Sequence, residues 1–453
     1  MTDRVAAMRR GILDGPITGS MIRLAWPVTT SMILQTAFGL VDAAWVGHLG
    51  PVALAGVSTG TFPIWGMFSL MAMVSVGLNA LIARSVGAGD YERAARIAGQ
   101  GVVLAACVGG VLAVFGGLGL DALFRFMHTA PEVTAQGKIY LGTTLVAMPL
   151  LFGFSAVNAT FSGAGDTQTT MRLSGGAVLI AGLLDPFLIY GLGPFPRLGV
   201  QGAALATIIS RAVGVAYGLS LLARRRTGVG LALPGGHIDP ATWWRILRIG
   251  APASVGGVMH SIIYVSLTRI TTRFGTPAVA ALGVSHRIEG ISYLLCVGFA
   301  AASSAYVGQN LGAGQPERAE RGAWKACQLV SVPVGAIALL FLTIPEVLLR
   351  GFTSDADVIA AGASYLRVVA FAQVFQGFEV VLDGAFGGAG NTLPPMLITG
   401  PLSAARFPLA VLLTGPIGMA VQGVWWAISA TSILKGTTMA YWFSRGRWKM
   451  TRV

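Results

Sequence analysis

From Leu24 to Val46 the chain is apolar or small and uncharged, except for one carboxylate, Asp42, and it holds one proline, Pro27. A run of this length crosses the hydrocarbon core of a bilayer, which takes about 20 residues as a helix. Further runs of the same kind lie at roughly 53–83, 94–119, 138–162, 168–191, 198–223, 244–270, 278–307, 320–344, 359–385, 394–415 and 420–443. Lipid offers the backbone no hydrogen-bond partner, so each run must satisfy its own amides, and runs this long do so as helices. The expected fold is an all-α polytopic membrane protein with twelve transmembrane helices. Composition agrees: only 11% of the residues are charged, against about a quarter in soluble domains.

A net charge of +13 could point to a nucleic-acid partner, but the positions of the basic residues argue otherwise. They gather at one set of helix ends, for example Arg9, Arg10 and Arg23, Arg84, Arg93 and Arg96, Arg224, Arg225 and Arg226, and Arg445, Arg447, Lys449 and Arg452. The opposite ends hold only Arg125, Lys138, Arg197, Arg269, Arg273 and Arg350. By the positive-inside rule both termini are cytoplasmic, and the basic excess needs no nucleic acid. The basic stretch before Leu24 reads as a retained cytoplasmic lead. Cys107, Cys296 and Cys327 show no metal-ligand spacing and read as small core residues. No phosphate loop, HExxH, GxSxG or paired Cys-x-x-Cys is present, so neither an enzyme nor a cofactor is expected, and active transport would draw on an ion gradient.

The chain also repeats itself. Gly87-Ala88-Gly89 with Glu92-Arg93 returns as Gly312-Ala313-Gly314 with Glu317-Arg318. Phe161-Ser162-Gly163-Ala164-Gly165-Asp166-Thr167 returns as Phe386-Gly387-Gly388-Ala389-Gly390-Asn391-Thr392, and Pro27 matches Pro252. The offset is 225 residues each time (312 − 87, 386 − 161, 252 − 27). Six helices per unit is an even number, so the two lobes share one orientation and are expected to be related by a pseudo-two-fold axis along the membrane normal. The expected division is 1–223, a cytoplasmic linker 224–243, and 244–453. Two parallel lobes around a cleft is a transporter plan.

Five carboxylates fall inside the apolar runs: Asp42, Asp185, Glu289, Glu379 and Asp383. An ionisable group at membrane depth costs at least a few kcal/mol and is functional by default. Asp42 and Asp185 lie at similar depth in helices 1 and 5. Pro186 follows Asp185 and frees the carbonyl of Gly182, three residues from Asp185 on the same helix face. Two carboxylates at one depth resist double ionisation, so the pair holds a shared proton readily. The bland alternative is that both only accept hydrogen bonds from neighbours such as Thr207. The second lobe lacks this pair, since Leu267 stands where Asp42 would repeat and Arg406 stands near the counterpart of Asp185. Arg406 is expected to pair with Asp383 or Glu379. In helix 8, His286, Glu289 and Tyr293 share a face and read as a local hydrogen-bonded cluster, with a pH-sensitive His286 as the alternative. Gln35 shares the face of Asp42, and Phe38, Met32 and Met71 would add adaptable apolar surface. Such an acidic, Met-bearing cleft suits amphipathic cations, although for any single Met or aromatic ordinary packing is the simpler reading.

VDAAWVGHLGPVALAGV at 41–57, the two Gly-Ala-Gly turns, FSGAGDT with FGGAGNT, and GVQGAALATIIS at 199–210 resemble the multidrug and toxic compound extrusion (MATE) family over nearly the whole chain. Asp42 with Asp185-Pro186 is similar to its DinF-like branch, which places the protein in the cytoplasmic membrane of a prokaryote. The resemblance implies antiport of organic cations against inward H+ or Na+, with helix 1 bending near Pro27. It also implies that Thr207 joins the two aspartates and that Gln35 and Asn158 line the substrate cavity. Ala181 stands where the family pattern commonly has Asn. A missing oxygen ligand weakens a sodium site at Asp42 and Asp185 more than a proton site, so H+ is expected. The chain is expected to act as a monomer among membrane lipids. The alternative function is a flippase for a lipid-linked saccharide or another lipid. That would need a basic cavity, and only Arg211, Arg287, Arg367, Arg406 and Lys435 lie within helices to line one.

Overall fold

A computed structural model of the chain describes residues 3–127, 129–225, 229–232, 235 and 237–451. Arg226, Arg452 and part of the 224–243 stretch lie outside the described residues. The first half holds α1 (Asp3–Leu13), α2 (Ile17–Gly47), α3 (Pro51–Gly87), α4 (Tyr91–Met127), α5 (Pro131–Val146), α6 (Met148–Gly163), α7 (Thr167–Tyr190) and α8 (Val200–Ala223). The second holds α9 (Pro240–Thr271), α10 (Thr276–Gly312), α11 (Pro316–Thr343), α12 (Pro345–Arg350), α13 (Ala356–Ala370), α14 (Gln373–Ala389), α15 (Leu393–Ala404), α16 (Arg406–Thr414) and α17 (Gln422–Ser444). No strand occurs among the described residues.

Nine helical segments among the described residues are long and apolar enough to cross a membrane, or eleven when each of two bent pairs counts as one span. The twelfth is α17, which is 23 residues long but carries Gln422, Thr431, Ser432 and Lys435. The all-α membrane fold read from the sequence is therefore the observed one. The bent pairs are α5 with α6, at 53°, and α13 with α14, at 58°. Helix starts repeat at the sequence offset: Pro51 and Thr276, Tyr91 and Pro316, Pro131 and Ala356, Met148 and Gln373 are each 225 residues apart.

The repeated turns close helices by the same device. Gly89 and Gly314 take φ of +79° and +71°, a conformation that costs glycine little. This lets Asp90 N–H reach the Ser85 carbonyl and Gln315 N–H reach the Asn310 carbonyl. The start of α2 packs with the second half, where Met21, Leu24 and Ala25 join a core with α10, α11 and α14. The start of α9 packs with the first half, where Ile246 and Ile249 join α3, α4 and α6.

Between the halves, equivalent residues meet each other. Ser304 Oγ donates to Asn79 Oδ1 at 2.9 Å across a separation of 225 residues, as expected where a pseudo-two-fold axis passes between α3 and α10. Beside it, a Cβ on Gly87 would stand 2.0 Å from the Gln309 carbonyl oxygen, and one on Gly312 would stand 2.1 Å from that of Arg84. Only glycine permits this approach. Arg84 donates to the carbonyls of Ala389 and Thr451, and its counterpart Gln309 donates to that of Gly163.

Outside the spans, Arg9 on α1 donates to the Gly87 carbonyl and Arg318 donates to those of Ile12 and Gly15. The basic lead is thus a helix held against both halves. Cys296 and Cys327 are core residues, whereas Cys107 is exposed.

Candidate functional site

In the first half α2 packs along α7, and α7 along α8. Phe38 and Gly182 meet there: a Cβ on the glycine would lie 3.7 Å from the Phe38 ring, an ordinary contact distance. Pro27 and Pro186 are both carried inside unbroken helices. Around Pro27 the helix is supported by side chains, with Ser31 Oγ donating to the Pro27 carbonyl at 2.8 Å, Gln35 to that of Ser31 and Thr36 to that of Met32. Such back-bonding offers the turn an alternative to its regular ladder.

Asp185 is fully buried, and neither of its carboxylate oxygens has a hydrogen-bond partner. The Oδ1 of Asp42 is likewise buried and unpartnered, and Asp42 lies within electrostatic range of Asp185. The simple structural alternative, hydrogen bonds from Thr207, is not what the site contains: the bond at that residue is from Ser210 Oγ to its carbonyl. Asn158 donates to the Phe154 carbonyl at 2.9 Å and receives Ser174 Oγ at 3.4 Å, so it is tied to α7.

Sequence reasoning overlooked one neighbour of the aspartates, Tyr140, and noted Arg211 only as one of the cations lying within helices. Tyr140 on α5 shares a hydrogen bond with Thr61 and lies within electrostatic range of Asp42, Asp185 and Arg211. The guanidinium of Arg211 on α8 lies 5.2 Å over the ring of Phe154. Its signal was a cation inside an apolar run, the same signal that singled out Asp42.

The second half holds a cavity of about 530 Å³, lined by His286, Glu289, Glu379, Asp383, Arg406 and Lys435 among others. The residues expected to form a polar network do surround one space, but their pairing differs from expectation. Lys435 Nζ meets Glu379 Oε1 at 2.7 Å. Arg406 pairs with neither Glu379 nor Asp383; it donates to the hydroxyls of Thr431 and Ser432 at 2.8 Å. Both partners come from α17, which faces α14 and α16 and so reaches the charges before they reach each other. Asp383 stands exposed to the cavity. Glu289 accepts a 2.6 Å bond from Tyr365, and His286 Nδ1 lies 3.4 Å away. His286 and Glu289 thus stand together as expected, but the tyrosine bonded to Glu289 is Tyr365 from α13, not the expected Tyr293.

The described residues hold no group of three His, Cys, Asp or Glu side chains suited to a metal ion. The MatE family model matches residues 27–187 and 252–412, two stretches related by the same 225-residue offset. A probable multidrug resistance protein NorM of Thermotoga maritima is 30% identical over 444 residues, covering 96% of this chain and 94% of that protein. A FAD transporter of Shewanella oneidensis is 26% identical, covering 96% of both. A MATE protein crystallised in a straight conformation superposes with a TM-score of 0.91 at 25% identity over the whole of both chains, and a MATE protein in a bent conformation does so at 0.90 and 25% identity over 98% of this chain and 97% of that one. Internal repeat, twelve helices, family match and structural likeness agree: the chain is a membrane transporter, not an enzyme, and belongs to the MatE family.

Proposed function

We propose that the chain is a secondary antiporter of the cytoplasmic membrane that exports amphipathic, mostly cationic compounds in exchange for inward protons. The observation that carries this reading is Asp185, buried with both oxygens unpartnered beside Asp42. An isolated anion there would cost several kcal/mol, so the group is suited to binding a proton or a cation rather than to bracing the fold. Ala181, one turn before Asp185, offers no side-chain oxygen to a sodium shell. Protons entering from outside neutralise the pair, the segment of α2 around Pro27 bends, and the bound compound leaves outward. In this reading Thr207 joins the two aspartates, Gln35, Phe38, Met32 and Asn158 line the substrate path, and Gly182 and Pro186 let α7 adjust. Residues 1–223 and 244–453 act as two lobes joined by 224–243, with both termini in the cytoplasm and one chain as the working unit.

The test is ethidium transport in proteoliposomes under separately imposed proton and sodium gradients. A proton gradient alone is expected to drive transport, and Asp42→Asn and Asp185→Asn to abolish it with expression unchanged. Transport driven by sodium alone would replace the proton, and undiminished pH-dependent transport in both variants would remove the aspartates from the mechanism.

A further inference from the structure

A carboxylate and a guanidinium in the second-half cavity lack a counter-ion. Of the acids lining it, Glu379 is paired with Lys435 at 2.7 Å, and Glu289 accepts a 2.6 Å bond from Tyr365 with His286 Nδ1 3.4 Å away. Asp383 is exposed to the cavity and makes no ion pair among the described residues. Arg406, at the start of α16, lines the same cavity but is otherwise buried. Its guanidinium donates to the hydroxyls of Thr431 and Ser432 at 2.8 Å and shares a hydrogen bond with Tyr264. These oxygens are neutral, and no carboxylate stands within ion-pair distance of Arg406 among the described residues.

A charge that its own chain leaves unpaired at membrane depth is costly, and such groups mark places where a ligand supplies the partner. The hydroxyls fix the guanidinium without neutralising it. A guanidinium has five N–H donors, so three hydroxyls leave donors to spare. Its flat fork matches the two oxygens of a carboxylate, whereas Asp383 suits a cationic nitrogen. A plain organic cation would satisfy Asp383 and leave Arg406 bare, and a plain anion would do the reverse. A compound carrying both charges satisfies both, and a cavity of about 530 Å³ has room for a drug-sized molecule.

We propose that the second-half cavity is a binding site for amphoteric compounds, taking a carboxylate on Arg406 and a cationic nitrogen on Asp383. The site is separate from the aspartate pair of the first half. It goes beyond the proton-coupled reading, which gives neither residue a role. Thr431 and Ser432 are positioning residues here, since they hold the fork of Arg406 at the cavity wall.

The experiment measures, by fluorescence anisotropy on the purified full chain, binding of rhodamine 110, which carries a carboxylate beside its cationic xanthene, and of rhodamine 123, its methyl ester. Both dyes are measured in the double variant Asp42→Asn with Asp185→Asn, where the first-half acids no longer attract either. There the acid is expected to bind about tenfold more tightly than the ester, the scale of one charge-assisted hydrogen-bonded pair. Adding Arg406→Gln is expected to remove that preference, and adding Asp383→Asn to weaken both dyes. An ester that binds as tightly as the acid, or no binding of either, overturns the carboxylate subsite with Arg406 intact, so the decision does not depend on whether the Arg406 variant folds. A preference for the acid that survives in folded Arg406→Gln overturns it as well. Binding unmoved by Asp383→Asn overturns the cationic subsite. Proton coupling is judged by ethidium transport with both first-half aspartates present, so each reading can fail alone.

Discussion

Glu379 and Lys435 are both buried and meet at 2.7 Å, an arrangement tolerable only while each has the other. Lys435→Met is expected to destabilise the protein by about 3–5 kcal/mol, because it strands a buried carboxylate, whereas Glu379→Leu with Lys435→Met recovers most of the loss. Thermal unfolding in detergent of the two single variants and the double variant measures this; a double variant no better than its singles would mean that the pair has other essential partners. Gly87 carries the second residue-scale prediction. Its missing Cβ admits the Gln309 carbonyl, so Gly87→Ala is expected to cost about 1–3 kcal/mol by overpacking. The same unfolding assay reads it, with Gly39→Ala, where a Cβ would meet nothing within 4 Å, as the control.

At the scale of the element, the two bends have different local chemistry. Pro149 sits in the first turn of α6, just after the 53° break, but its counterpart at the start of α14 is Val374, beside the 58° break. Bends of similar size with and without proline mean that proline is not what sets the angle. Pro149→Ala should therefore keep the bend and most of the transport rate, measured by ethidium efflux. Outside the membrane, the start of α9 is capped by Asp239, whose side chain accepts from the backbone N–H groups of Ala241 and Thr242. The Thr242 hydroxyl, first among these donors, holds the Asp239 carboxyl below the ordinary carboxylate range. A lowered folded-state pKa contributes stability that is present above the unfolded value and is lost as pH falls through the folded one. Asp239→Ala is accordingly expected to cost about 1 kcal/mol at neutral pH, with the difference from the unaltered protein shrinking at strongly acid pH in pH-resolved unfolding.

At the scale of the whole molecule, the seam between α3 and α10 determines how far the halves can part. Beside it, Arg84 on α3 ties the halves together through two carbonyl bonds, to Ala389 on α14 and to Thr451. Hydrogen bonds from a charged donor contribute about 1.5–3 kcal/mol each, so Arg84→Ala is expected to raise the population of forms opened at this seam by roughly tenfold or more. A cysteine introduced by Ser304→Cys, at the axis beside Asn79, reports this opening as faster alkylation. An unchanged rate would show that the seam is held by the glycine contacts alone.

The sequence alone determined everything that depends on local hydrophobicity and spacing. Twelve apolar runs could only be helices in lipid, the 225-residue repeat predicted helix starts that recur at that interval, and Asp42 and Asp185 stood out because a carboxylate is costly there. What only the tertiary structure decided was which charges meet. Arg406 was expected on a carboxylate of α14 and instead lies on the hydroxyls of Thr431 and Ser432, while Lys435 takes Glu379. Arg211 faces an aromatic ring rather than an acid. Depth in the membrane follows from position along one helix, but a partner follows from how separate helices are rotated and packed. Side chains from several helices decide that together, and no single run of sequence encodes it.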